Sequence, residues 1–131
     1  MVAMEVRLVS DAERLLKSLI DSACSANRRQ QLALFSEDAV WRFPLASEGG
    51  IRQLLGKEEI AQEMNPRWDA ADAANLDVAL IDVKIRPFAD ASYACSQFSL
   101  AISSIEKRRV RHFAHILRSS GGLISELIEY A

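Results

Sequence analysis

The sequence predicts an α+β fold, in which helices of the first half pack within a strongly curved, mainly antiparallel sheet. Apolar residues recur at helical spacing in the first third of the chain, whereas from Leu76 onward they alternate as in strands. Turn signals at residues 106–108 and 119–122 divide this second half into successive strands. Because the helices come before the meander, we expect the sheet to curl around them.

The first helix is predicted from a capping box followed by an apolar face. Ser10 and Glu13 have the spacing at which a hydroxyl and a carboxylate each satisfy a free backbone N–H. Asn27 is placed to cap a second, shorter helix. The apolar face of the first helix consists of Leu15, Leu16, Leu19, Ile20 and Ala23.

The middle of the chain predicts two strands and a third helix. Residues 40–44 are β-branched and aromatic and end at Pro44, which favours a strand, and residues 51–55 follow a Gly-Gly turn as a short returning strand. A third helix begins after Gly56. Because proline cannot donate a helical hydrogen bond, Pro66 predicts a break, followed by a helical turn to about residue 73.

The second half predicts four strands. The first ends near Pro87, and its apolar residues of one parity are expected to share a face; these are Ala79, Ile81, Val83 and Ile85. The next three are expected over residues 93–105, 109–117 and 123–130. No repeat or low-complexity linker interrupts the sequence, so we expect a single domain over residues 1–131.

Composition excludes several classes of function. The chain has 131 residues with 16 basic and 18 acidic side chains, which gives no electrostatic case for a nucleic-acid partner. No apolar run approaches the ~18–20 residues of a membrane span, and residues 1–9 do not form a signal peptide, so we expect a cytoplasmic protein without a membrane partner. Cys24 and Cys95 are too isolated for a disulfide framework or a metal motif, and no cofactor motif occurs.

Three segments resemble a known superfamily. Residues 34–44 (LFSEDAVWRFP), 55–60 (LGKEEI) and 120–130 (SGGLISELIEY) resemble, in order and spacing, the nuclear transport factor 2-like superfamily and most closely its SnoaL-like polyketide cyclase branch. The resemblance implies a cystatin-like cone with a mostly apolar pocket at its open end. Relatives include ketosteroid isomerases, polyketide cyclases and dehydratases, and also proteins without catalysis, so the fold does not fix the function.

The resemblance argues against ketosteroid isomerase chemistry. It aligns the general base, the oxyanion tyrosine and the protonated aspartate of that branch with Phe43, Leu19 and Ala114 respectively. Proton transfer needs a titratable group and an oxyanion needs a donor, and none of these three side chains supplies either.

The last hairpin suggests a different acid–base pair. If Arg118 faces Leu123 across the turn, His112 lies opposite Glu129 on the pocket face, where a carboxylate beside an imidazole suits general acid–base catalysis. An ordinary cross-strand ion pair, or a register that differs by one residue and separates the two, is the alternative. The same register adds Ala114, Ile116 and Leu127 to the pocket.

Aromatic and polar side chains are expected to complete the ligand site. Trp41 and Phe43 share a parity on the first strand and should wall the cavity, although simple core packing is equally compatible. If the turn at residues 106–108 preserves parity, Tyr93 and Gln97 also face the pocket and can donate to a substrate oxygen. A turn longer by one residue places both outside.

The opposite face of the same strands is expected to form a homodimer interface. It would carry the apolar and basic residues Arg109, Arg111, Phe113, His115 and Leu117. The function predicted from these observations is a cofactor-free isomerase, cyclase or dehydratase acting on a small hydrophobic or modestly polar molecule. A non-catalytic ligand-binding module and a protein-interaction domain of the same fold are the alternatives.

Overall fold

The computed structural model describes residues 9–25 and 27–131, which form three helices and one six-stranded sheet. The helices are α1 (Asp11–Ala23), a 3₁₀ helix (Arg28–Leu34) and α2 (Lys57–Ala73). The strands are β1 (Phe35–Arg42), β2 (Gln53–Leu55), β3 (Asp77–Pro87), β4 (Tyr93–Ser103), β5 (Arg108–Ser120) and β6 (Leu123–Tyr130). Neither α-helix in these two ranges is long and apolar enough to cross a membrane.

The start of α1 confirms the predicted capping box. The Ser10 hydroxyl accepts a hydrogen bond from the Glu13 backbone N–H at 3.2 Å, and the Glu13 carboxylate accepts one from the Ser10 N–H at 3.3 Å. One face of the helix is buried against the sheet, with Leu16 and Ile20 almost inaccessible to solvent. The burial of this face fixes α1 as the element around which the sheet curves.

Two predictions for the other helices need correction. Asn27 precedes the second helix, but its side chain makes no capping hydrogen bond and the helix is 3₁₀ rather than α. The break predicted at Pro66 is wrong, because α2 continues through it. Ile60 and Trp68 are buried on either side of the proline, and the burial of both side chains offsets the missing hydrogen bond.

The sheet confirms the predicted α+β class. Its strand order is β2-β1-β6-β5-β4-β3, and every neighbouring pair is antiparallel except β1 and β6, which are parallel. The first strand begins at Phe35, five residues earlier than predicted, and the Phe35 side chain is fully buried. The parallel contact brings the end of the chain beside its first strand, so the last hairpin lies in the middle of the sheet.

A bulge in β3 contradicts the prediction that Ala79, Ile81, Val83 and Ile85 share one face. The pairing with β4 shifts between Ile81 and Lys84, and Asp82 adopts a positive φ of 53°. An extra residue in one strand reverses the side on which later side chains lie. Val78 before the bulge and Ile85 after it therefore both pack against the core.

The register of the β5–β6 hairpin also differs from the predicted one. The turn consists of Gly121 and Gly122 alone, both at positive φ, so Ser120 pairs with Leu123. Beyond it, β6 contains one extra residue, Ser125, whose hydroxyl donates to the backbone carbonyl of Arg118 at 3.0 Å. Because of the short turn and the extra residue, each residue of β5 pairs with a later residue of β6 than predicted.

The consequence is that the predicted pairing of His112 with Glu129 is wrong. Glu129 lies opposite His115, and Ala114 lies opposite Tyr130 rather than Leu127. The observed pairing differs from the predicted one by three residues of β5. Because three is odd, the side chains of β5 that were expected to face the pocket lie on the opposite side of the sheet.

We call the side of the sheet that packs against α1 the inner face, and the other side the outer face. On β5, Phe113, His115 and Leu117 lie on the inner face, with His115 and Leu117 buried, so the prediction that these residues form a dimer interface is wrong. The predicted pocket residues of opposite parity lie on the outer face, and their expected orientation is likewise wrong; these are Tyr93, Gln97, His112, Ala114 and Ile116.

Candidate functional site

Two adjoining cavities open between the helices and the inner face, and Arg67, Arg111 and Glu129 line both. The deep cavity has a volume of about 260 Å³ and is also lined by Leu19, Gln31, Trp41, Phe98, Phe113 and His115. The entrance cavity has a volume of about 420 Å³ and is also lined by Phe43, Leu45, Ile51 and Glu63. Together they have the size and the mixed apolar and polar lining of a small-molecule site.

A buried histidine–carboxylate pair lies in the wall of the deep cavity. His115 Nε2 is 2.9 Å from Glu129 Oε1, and the two residues face each other across β5 and β6. The His115 side chain is 4% exposed and that of Glu129 is 19% exposed, so Glu129 is the member nearer to solvent. Because a carboxylate can only accept here, the imidazole donates from Nε2, which fixes the orientation of both groups.

The imidazole has a second nitrogen that is unused. His115 Nδ1 is buried and has no hydrogen-bond partner among the described residues, and the same holds for Trp41 Nε1. A buried polar atom without a partner costs about 1–3 kcal/mol of stability. Both residues line the deep cavity, but these two nitrogens are themselves inaccessible to solvent.

Two stacks of rings form the apolar walls. Phe98 stacks on Phe113 with ring centroids 5.1 Å apart, and on the His115 imidazole at 5.5 Å. On the other side, Trp41 stacks between Phe35 and Phe43, at 5.4 Å and 5.5 Å. Flat aromatic surfaces of this kind favour a flat, apolar ligand.

The two arginines of the site have different surroundings. Arg67 on α2 donates to Glu63 Oε1 at 2.6 Å, one helical turn earlier. The Arg111 guanidinium lies over the ring of Phe113, with its central carbon 5.0 Å from the ring centroid. Within the described ranges, Arg111 takes part in no ion pair.

Some predicted site residues lie at these cavities. Trp41 lines the deep cavity, Phe43 the entrance cavity and Glu129 both. Leu127 is fully buried in the core opposite Trp41.

The other predicted residues belong to the outer face. His112, Gln97 and Ala114 line an open depression of about 620 Å³, where His112 Nδ1 is 2.7 Å from the Ser99 hydroxyl. Tyr93 and Ile116 lie on this face as well.

Sequence reasoning missed His115, Arg67 and Arg111 as site residues. A Gly-Gly pair between alternating strands is the signal for a two-residue turn, and using it would have moved the predicted register towards the observed one. The remaining displacement comes from the bulge at Ser125, for which the sequence carries no comparable signal. No cluster of three or more metal-ligating side chains occurs among the described residues.

Neither a protein-family model nor a curated protein matches the sequence. Solved structures of other proteins are similar to the structure of this chain. A candidate isomerase from Bacillus subtilis is 19% identical with a TM-score of 0.72, over 92% of this chain and 85% of that one. A candidate polyketide cyclase from Pseudomonas putida is 20% identical with a TM-score of 0.69, over 92% and 90%. A computationally designed 17-OHP binder is 20% identical with a TM-score of 0.67, over 93% and 94%.

The chain has the cystatin-like α+β fold of these solved structures. This confirms the fold expected from the resemblance. The two cavities lie between the helices and the inner face of the sheet. The suggested alignment of Ala114 with a pocket position is wrong, because Ala114 lies on the outer face.

Proposed function

We propose that the chain binds a small, largely apolar molecule in the deep and entrance cavities and that Glu129 transfers a proton to or from it without a cofactor. The observation that carries the proposal is the position of Glu129. Its carboxylate lines both cavities while its Oε1 accepts a hydrogen bond from the buried His115.

The binding part is supported by the lining. The stacked rings present apolar surface, and the polar and charged groups of the lining can orient a ligand. The similar structures include a candidate isomerase, a candidate polyketide cyclase and a designed small-molecule binder, which is compatible with small-molecule binding in this fold.

The catalytic part is supported by the surroundings of the carboxylate. A carboxylate among apolar walls is a suitable general base for a C–H proton, and general acid–base catalysis typically contributes about 10²–10⁴-fold in rate. His115 is a positioning residue, because its N–H holds one oxygen of Glu129 and leaves the other available to a substrate. Isomerase, cyclase and dehydratase reactions that begin with removal of a C–H proton need such a base.

Binding without catalysis is the second candidate. The hydrogen bond between Glu129 and His115 favours this candidate. A carboxylate that already has a partner for one oxygen can stabilise the cavity wall without any catalytic role. A computationally designed 17-OHP binder is among the structures with this fold, which supports this second candidate.

Kemp elimination distinguishes the two candidates. In this reaction a base removes the ring C–H proton of 5-nitrobenzisoxazole and the N–O bond breaks. The ring opens to a single coloured product, a phenolate that carries a nitrile group. We expect turnover by the natural chain, and a fall in kcat of at least about a hundredfold in Glu129→Gln. Turnover that Glu129→Gln leaves unchanged, or no turnover above buffer, would refute the catalytic role.

Two variants of His115 separate positioning from packing. His115→Gln keeps an amide donor for Glu129, whereas His115→Phe keeps the ring and removes the donor. We expect His115→Gln to retain most of kcat and His115→Phe to lose it, with KM little changed in both. His112→Gln is the matched control on the outer face and should leave kcat unchanged.

A further inference from the structure

We infer that the natural ligand is a flat, apolar molecule that carries a carboxylate and that Arg111 binds this carboxylate. The inference rests on the binding part of the proposed function, and it is independent of whether Glu129 transfers a proton. It names a specificity-determining residue outside the histidine–carboxylate pair.

Arg111 is a solvent-exposed residue of the inner face. It has the same parity on β5 as Phe113 and His115, so it belongs to the inner face, and it lines both cavities. Along the same face, burial increases from Arg111 through Phe113 to the fully enclosed His115. An arginine here lies where its guanidinium can meet the contents of the cavities.

The other charged side chains that line the two cavities have partners among the described residues. Arg67 donates to Glu63, and Glu129 accepts from His115. Arg111 is the lining cation that has no ion-pair partner among the described residues. It therefore offers its N–H donors to a ligand without breaking an existing ion pair.

The chemistry of arginine selects the ligand group. The guanidinium is planar and presents parallel N–H donors that match the two oxygens of a carboxylate. Its central carbon lies 5.0 Å from the centroid of the Phe113 ring, a cation–π contact that favours this position of the guanidinium beside the cavities.

The ring stack places an apolar body beside this group. Phe113, next to the guanidinium, stacks with Phe98 at 5.1 Å and lies 6.2 Å from the His115 ring. A flat ligand lying along these rings with its carboxylate at Arg111 extends into the deep cavity, beside Glu129.

Calorimetric titration with 2-naphthoate and 2-naphthamide tests the inference, because these probes have the same ring system and nearly the same shape but differ in charge. We expect the natural chain to bind 2-naphthoate about tenfold more tightly than 2-naphthamide. Arg111→Gln should remove this preference by weakening 2-naphthoate about tenfold, with the affinity for 2-naphthamide within about twofold of its original value.

Arg109→Gln is the matched control, since it removes the same charge from the same face of the same strand, outside the residues lining both cavities. It should change neither affinity by more than about twofold. Unfolding temperatures of both variants close to that of the natural chain would show that they fold. Equal binding of the two probes by the natural chain, or an equal effect of both arginine variants, would overturn the inference.

The same titrations separate this inference from the proposed function. If both probes bind with equal affinity, the carboxylate preference fails while the cavity remains a binding site. If neither probe binds up to its solubility limit, the inference and the binding proposal both fail. If the preference is present while Glu129→Gln retains full Kemp turnover, the inference stands and the catalytic role fails.

Discussion

The two histidines of the chain lie three residues apart on β5 and have opposite surroundings. His115 is buried on the inner face, stacked against Phe98 and hydrogen-bonded to Glu129. His112 is exposed on the outer face and contacts the Ser99 hydroxyl at 2.7 Å. The odd spacing along the strand is sufficient to produce this contrast.

The face of the sheet on which a side chain lies therefore determines its surroundings. Both faces carry a histidine with a hydrogen-bond partner, but only the inner one is enclosed by apolar rings. Enclosure excludes water and strengthens electrostatic interactions, so the same imidazole chemistry has larger consequences there. Substitutions on the inner face should therefore cost more stability than the same substitutions on the outer face.

The largest difference between the faces is expected in core packing. Leu117→Ala empties a fully buried position on the inner face and should lower the free energy of unfolding by about 3 kcal/mol. Ile116→Ala, at the next residue on the outer face, should cost less than about 1 kcal/mol. Urea unfolding of both variants measures this. Equal losses would show that Ile116 is covered on the outer face as well.

The hydrogen bond to Glu129 is expected to have the next largest effect. His115→Phe keeps a ring in the stack but leaves the carboxylate without its donor, so we expect a loss of about 2 kcal/mol in the free energy of unfolding. His112→Phe loses only an exposed contact and should stay within about 0.5 kcal/mol. Equal losses of unfolding free energy in the two variants would show that the two histidines contribute alike to stability.

The capping box of α1 should contribute less. Ser10→Ala removes the side-chain acceptor for the Glu13 N–H and should cost about 1 kcal/mol. Because α1 covers the inner face, hydrogen exchange should accelerate at Leu16 and Ile20 more than at outer-face residues of β4. Uniform acceleration throughout the chain would contradict a local role for the cap.

The smallest effect concerns the reactivity of a cysteine. Burial raises the pKa of the Cys24 thiol, with a further contribution from the charge of Asp21. Because the thiolate is the reactive form, a raised pKa means a smaller reactive fraction at neutral pH. In a Cys95→Ser variant, alkylation at pH 7 should therefore be slower in the folded chain than in urea. A folded rate equal to the unfolded one would contradict burial of this thiol.

Much of the fold could be predicted from the sequence because its signals are local. The Ser10–Glu13 capping box and the strands of the second half follow from spacing within a few residues. The continuity of α2 through Pro66 could not be predicted, since it depends on tertiary burial of Ile60 and Trp68.

The candidate site was harder to predict, because it depends on register. Glu129, Trp41 and Phe43 were expected at the pocket, and their side chains line the cavities. The partner of Glu129 depends on a two-residue turn and a bulge, which together displaced the prediction from His115 to His112. A side-chain period of two means that such a displacement changes every contact on the strand.

NMR mapping of a bound neutral probe tests directly whether the inner face holds the ligand site. The outer depression of about 620 Å³ is the competing location and has a larger volume than either inner cavity. On addition of 2-naphthamide, we predict chemical-shift changes at Trp41, Phe113 and His115, and none at Ser99 or His112. Changes centred on Ser99 and His112, with Trp41 and His115 unaffected, would contradict the account.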